Sequence, residues 1–171
     1  MLSEFKYVEF FVSNAKQASH YYRSVFGFKG YAYSGPETGN EEFVSYVLKQ
    51  NKIFFVLTTA LSDEHSISKW VKKHGDGVSE IAFSSNTPNE DYNYAIENGA
   101  QSFYGYKELK DLNGVYKSAA VKTYGEVIHS FIDGSEYLDI WKPGFIEYNP
   151  DPVPSNEVDL LLVDHIVDSC F

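Results

Sequence analysis

Cysteine occurs once in the 171 residues, as Cys170 beside the last position, so no disulfide can form within the chain. That fits a reducing compartment, and the expected location is the cytoplasm. Positive charge is also scarce: 14 Lys and Arg stand against 24 Asp and Glu, a formal net charge of −10. This balance argues against a nucleic-acid partner, because phosphate-backbone binders concentrate Lys and Arg. It equally disfavours an anionic membrane surface. No apolar run approaches membrane-spanning length. The opening "MLSEFKYVEF" has no basic stretch followed by an apolar one, so no secretory signal is read there. There is no Ser-His-Asp signature, and "GPETGNEE" matches no phosphate-binding loop.

Apolar and aromatic residues are plentiful, at 43% and 17%, which suits one globular domain with a core of its own. "YVEFFV" (7–12) is β-branched and aromatic and reads as a strand. Asn14 can then cap a helix through "AKQASHYYRSVFG", with Ala15, Ala18, Tyr22, Val25 and Phe26 on the buried side and Gly27 as the stop. "FKGYAYSG", "EEFVSYVLKQ" and "KIFFVLTT" follow as strands, the last two joined by a turn at Asn51-Lys52. Ser62 is the expected cap of an intervening helix carrying Ile67, Trp70 and Val71 and ending at Gly75.

The pattern then restarts. "VSEIAFSS" (78–85) reads as a strand, and Thr87 and Glu90 have capping-box spacing around Pro88. Tyr92, Ala95 and Ile96 form the buried stripe of the next helix, which ends at Gly99. Three more strands follow, with a turn at Asn113-Gly114. Gly27 and Gly99 are 99 − 27 = 72 residues apart, and Asn14 and Asn86 share that offset. The chain is thus read as α+β, a repeated βαβββ unit whose two copies would place their sheets side by side as a cupped, partly closed barrel. After Trp141, "KPGFIEYNPDPVPSNE" contains Pro143, Pro150, Pro152 and Pro154 and reads as an extended linker. "VDLLLVDHIVD" beyond it reads as one more strand without neighbours, so residues from about Pro150 onward are expected to be loosely held.

The stretches "VEFFVSNAKQASHYY", "FGFKGYAYSGPETG", "VKKHGDGVSEIAF", "VKTYGEVIHSFI" and "VDHIV" resemble the N-terminal half of the 4-hydroxyphenylpyruvate dioxygenases, of the vicinal-oxygen-chelate superfamily. The resemblance runs from about Phe5 to Val167; "DSCF" departs from it. It implies one vicinal-oxygen-chelate module over residues 1–148. Residues 149–171 would be the linker and the first strand of a catalytic module that the chain does not contain. The family reaction takes 4-hydroxyphenylpyruvate and O2 to homogentisate in tyrosine and phenylalanine catabolism. It uses Fe(II) held by two His and one Glu of the C-terminal module. His165 matches the first of those ligands, and the resemblance implies that this chain alone is inactive and binds no iron. The alternative is a stand-alone module that binds a small ligand, self-associates or pairs with full-length enzyme.

A second metal reading stays within the chain. In this fold, ligands sit on the first and last strands of each unit, facing the cup. By position these are Glu9, about Val56, Glu80 and about His129, three of which can bind a divalent cation. His20 reads as a solvated helix residue. His65 and His74, nine apart, do not have metal spacing, and Cys170 shows no sign of activation.

Overall fold

In a computed structural model the chain is described at residues 2–155 and 158–167. Nine strands, three α-helices and one 3-10 turn (Pro36–Thr38, between β2 and β3) are assigned there, in the order β1 (Leu2–Phe11), α1 (Ala15–Phe26), β2 (Lys29–Ser34), β3 (Phe43–Gln50), β4 (Ile53–Ala60), α2 (Ser66–His74), β5 (Gly77–Ser85), α3 (Pro88–Glu97), β6 (Gln101–Asp111), β7 (Gly114–Lys122), β8 (Ile128–Asp133) and β9 (Ile146–Glu147). The chain divides into two compact units. One, the α1 unit, comprises Glu9–Val78 and Gly144–Val163. The other, the α3 unit, comprises the residues up to Val8, Ser79–Pro143 and the segment from Asp164. The sequence repeat is therefore not the unit boundary, because most of β1 groups with the second repeat.

In the α1 unit the end of β1 neighbours β4, and the order continues β3, β2, β9. Asn14 caps α1 by accepting a hydrogen bond from Gln17 N at 3.0 Å. Gly27 ends α1 at φ 75°, a left-handed conformation that favours glycine. Val12, Ala15, Phe28, Leu48, Ile53 and Leu57 make the core, with Phe10, Tyr22, Phe26 and Phe55 packed on it. The predicted helix face differs in detail. Val25 is exposed, whereas Ser19 and Arg23 are buried with Ala15. These three recur at a spacing of four, so the buried stripe is rotated from the apolar one. His65, not Ser62, caps α2: its Nδ1 accepts from Ile67 N at 3.2 Å. Ser62 lies before the turn, where its carbonyl accepts from the Ser68 hydroxyl at 2.8 Å.

In the α3 unit the order is β6, β7, β8, β5, with the start of β1 beyond β5. β5 and β8 pair in parallel; β7 and β8 pair antiparallel. Tyr92, Ala95 and Ile96 of α3 pack on Ala119, Val121 and Phe131, as the stripe predicts. The Thr87–Glu90 capping box does not form. Ser85 substitutes for it, its hydroxyl accepting from Thr87 N at 3.0 Å and donating to Asp91 at 2.6 Å. Asn98 rather than Gly99 is the cap residue at the far end.

The proline-rich segment is tied down where the sequence suggests a free linker. β9 within it pairs antiparallel with β2, Ala32 opposite Glu147 and Tyr33 opposite Ile146. This two-residue strand occupies the edge of β2. The expected terminal strand finds no ladder, and residues 158–167 have no regular secondary structure. Their polar groups are met by the β3–β4 turn instead. Leu160 N donates to Gln50 Oε1 at 3.2 Å, Lys52 N to Leu161 O at 3.0 Å, and the Asn51 amide to Leu160 O at 2.8 Å. Val163 and Tyr148 join the α1 core. The arm also passes close over Gly30, where an added Cβ would lie 2.6 Å from Tyr148 O.

Gly30→Ala is therefore expected to lower stability by about 1–3 kcal/mol through overpacking against the arm. Urea denaturation measures this, and an unchanged midpoint would show that the arm does not press on β2.

Candidate functional site

Strand register decides which proposed ligands share a face. In the parallel β5–β8 pair, Glu80 lies opposite Ile128 and Ile81 opposite His129. In the β7–β8 pair, His129 lies opposite Val121, a residue of the core under α3. Residues directly paired point to the same side of a sheet, and successive residues point to opposite sides. His129 therefore belongs to the α3 side with Ile81, Val121 and Phe131, and Glu80 to the other side. The two do not converge.

Each residue of that trio has its own local role. Glu80 is buried, and its Oε1 accepts a hydrogen bond from the Tyr7 hydroxyl at 2.7 Å. This neutral donor satisfies part of the carboxylate where water is excluded. Glu9, in the α1 unit, accepts a 2.5 Å hydrogen bond from Thr58, whose oxygen is also 2.7 Å from the Ser45 hydroxyl. Val56 of that unit is buried and apolar. His129 packs edge-on against Phe83, with ring centroids 5.3 Å apart, and against Tyr124 at 6.1 Å. Among the described residues its Nε2 is buried without a hydrogen-bond partner. Burial holds the imidazole below its ordinary pKa, so the neutral ring is the form that suits this site.

His165 is exposed, and its Nδ1 lies 2.8 Å from Asp164 Oδ2, also exposed. Among the described residues no group of three or more His, Cys, Asp or Glu is placed to hold a metal ion. The Fe(II) site implied by the resemblance needs two His and one Glu, and one surface imidazole beside one Asp does not supply that donor set. The described residues do not fit the metal. His20 sits 3.3 Å from Ser24 Oγ on the exposed side of α1, and His74 stacks near Trp70 at 4.7 Å. Cys170 lies outside the described residues.

Sequence reading missed the polar face that Glu80 belongs to. Lys107 lies opposite Ser118, which lies opposite Ile132, placing Lys107 on that face. Its ammonium sits 3.8 Å from the centroid of Tyr104. Desolvation, with the nearby Lys142, lowers its pKa, and Glu80 opposes that shift. Trp141 covers Tyr7 at 5.5 Å between centroids. Only the period-2 alternation of β6 could have signalled Lys107, and bulges after Ser102 and Tyr104 obscure it.

No protein-family model matches the sequence. A triply substituted 4-hydroxymandelate synthase from Streptomyces coelicolor superposes with a TM-score of 0.74 at 25% identity, covering 81% of this chain and 40% of that one. A methylmalonyl-CoA epimerase from the same organism gives 0.65 at 17% identity, covering 80% of this chain and 99% of that one. The chain has the vicinal-oxygen-chelate fold. Its curated relatives are 4-hydroxyphenylpyruvate dioxygenases, of which that from Dictyostelium discoideum is 39% identical over 168 residues, 95% of this chain and 46% of the relative. The chain spans about half the length of the curated relatives it matches.

Two outcomes are expected. Tyr7→Phe should lower stability by roughly 1–3 kcal/mol, the cost of leaving a buried acceptor short of a donor, as read by urea denaturation. The second concerns pH. With His129 held below its ordinary pKa of 6.5, the unfolded chain takes up a proton that the folded chain refuses. The stability is complete above about pH 6.5 and falls as pH drops below it, levelling off only beneath the folded pKa. His129→Leu should flatten the slope below about pH 6.5. An unchanged slope would show that another group controls it.

Proposed function

We propose that this chain is the first, non-catalytic vicinal-oxygen-chelate module of a 4-hydroxyphenylpyruvate dioxygenase. The 171 residues alone would then not turn over. What carries the reading is the match over 95% of the chain to dioxygenases of about twice its length, together with a lone surface His165 where the resemblance expects an iron ligand. The substrate of the whole enzyme would be 4-hydroxyphenylpyruvate, its metal Fe(II), its pathway tyrosine catabolism and its compartment the cytoplasm. No described helix is long and apolar enough to cross a membrane.

Bound iron would supply O2 activation in the whole enzyme, and no step through it is assigned to this chain. What this chain contributes is a folded support. Its arm is held at Gln50, Asn51 and Lys52 up to residue 161, and Asp164-His165 follows directly. A second reading is a stand-alone module that binds a small ligand or pairs with full-length enzyme. The epimerase supports it, since 80% of this chain matches nearly the whole of that protein.

The purified chain, given 4-hydroxyphenylpyruvate, Fe(II) and ascorbate in an oxygen electrode, is expected to consume no O2 beyond the iron-only blank. Homogentisate formed above that blank would overturn the reading.

A further inference from the structure

The β6–β7 hairpin gives the α3 unit a bare edge. β6 stands at the end of the strand order, and its residues from Gly105 to Asp111 are all exposed. The stretch Lys107–Asp111 pairs regularly with β7, and both bulges lie before it. Val115, opposite Lys110, donates its N–H to Glu136 O at 3.1 Å and so does not bond Lys110. Bonded and unbonded positions alternate along an antiparallel pair. Lys107, Leu109 and Asp111 are therefore the positions bonded to β7, and the N–H and C=O groups of Glu108 and Lys110 point away from it. Among the described residues no strand pairs with that side of β6.

A free edge is a template for another strand, and charged side chains are the usual way to blunt it. Here the charges fit a second copy of themselves. Lys107, Glu108, Lys110 and Asp111 sum to zero, on a chain of net charge −10. Three antiparallel registers let Glu108 and Lys110 of two chains bond through their outward groups. One sets Glu108 opposite Glu108 and another Lys110 opposite Lys110, and like charges so placed destabilise a pair. The third centres on Leu109. It sets Glu108 of one copy opposite Lys110 of the other, Lys107 opposite Asp111, and Leu109 opposite itself, so every charge meets its opposite.

The surrounding side chains suit that register. Glu108 and Lys110 already pair along the strand at 2.6 Å, and a second copy extends them to four alternating charges. Asp111 accepts from the Tyr137 hydroxyl at 2.9 Å and from Asn113 N at 2.7 Å, neutral donors that leave its charge for Lys107 of the other copy. Tyr106 and Leu109 are 38% and 39% exposed, and Leu112 at the turn is fully exposed. Turn positions favour polar residues and glycine, yet Leu112 stands at this one. In the register centred on Leu109, Leu112 of one copy falls opposite Tyr106 of the other.

We propose that the chain forms a two-fold dimer in which the 106–112 edge pairs antiparallel with the same edge of a second copy, centred on Leu109. Glu108 and Lys110 would exchange four main-chain hydrogen bonds across the axis. So short an interface lies below the standard size and gives a weak dimer, with a dissociation constant on the order of 100 μM. The hairpin lies wholly within the α3 unit, and the dimer rests on neither reading of the function.

Sedimentation equilibrium of the full chain up to about 1 mM, at physiological ionic strength, is expected to show monomer and dimer. Glu108→Lys and Lys110→Glu should each weaken the dimer about tenfold, because each sets like charges opposite at two symmetric places. The double variant swaps the pair and should restore association to within about threefold of the wild type. In a Cys170→Ser background, Leu109→Cys should cross-link two chains when treated with oxidised glutathione, since unbonded antiparallel positions lie within disulfide reach. Glu108→Cys and Lys110→Cys should cross-link more slowly, because neither faces itself in this register. A chain that stays monomeric at about 1 mM would overturn the proposal, and would leave the edge to a strand of another protein. Charge reversals without effect on association, or faster cross-linking at 108 or 110 than at 109, would overturn it equally.

Discussion

The α3 unit depends on one constraint: a strand whose one face is covered by a helix has every second residue committed to that helix. Val121 and Phe131 pack under α3, and His129 is locked to their side by its pairing with Val121. A one-residue slip would be needed to turn His129 toward Glu80, and that slip would expel Phe131 from the core. The register thus settles the chemistry of two titratable groups at once. His129 becomes a neutral aromatic neighbour of Phe83 and Tyr124. Glu80 becomes a buried acceptor for Tyr7.

The α1 unit depends on a comparable commitment by the arm. Gly30 has no side chain where Tyr148 and Pro150 pass, and β9 takes up the edge of β2. Gln50 uses both ends of its amide, donating to Phe26 O at the end of α1 and accepting from Leu160 N of the arm. Asn51 adopts φ 50° at the turn and reaches the same stretch of arm. A proline-rich stretch with few donors of its own is in this way held by groups from the hairpin it crosses.

Much of this was legible because its causes are local. Asn14, Gly27, Gly75 and the Asn51 and Asn113-Gly114 turns act through their own backbones, so their places could be read without tertiary contacts. The repeat offset exposed the βαβββ order for the same reason. What could not be read rests on distant partners. Nothing in "FIEY" announces β9, which exists because β2 offers an edge. Arg23 reads as a surface helix residue until Asp151, 128 positions away, is brought to it. The proposed trio of Glu9, Glu80 and His129 was placed by position on the first and last strands of each unit, and such a placement carries an error of one residue. In a strand one residue is the difference between the two faces.

The central claim is that Glu80 and His129 serve the packing of the α3 unit and that the described carboxylates and imidazoles do not gather into an iron site. Anaerobic calorimetric titration with Fe(II) tests it most directly, run on the wild-type chain beside Glu80→Gln and His165→Ala. The account expects no saturable heat beyond dilution and the same trace for all three proteins. A stoichiometric site of micromolar or tighter affinity that either substitution abolishes would contradict it.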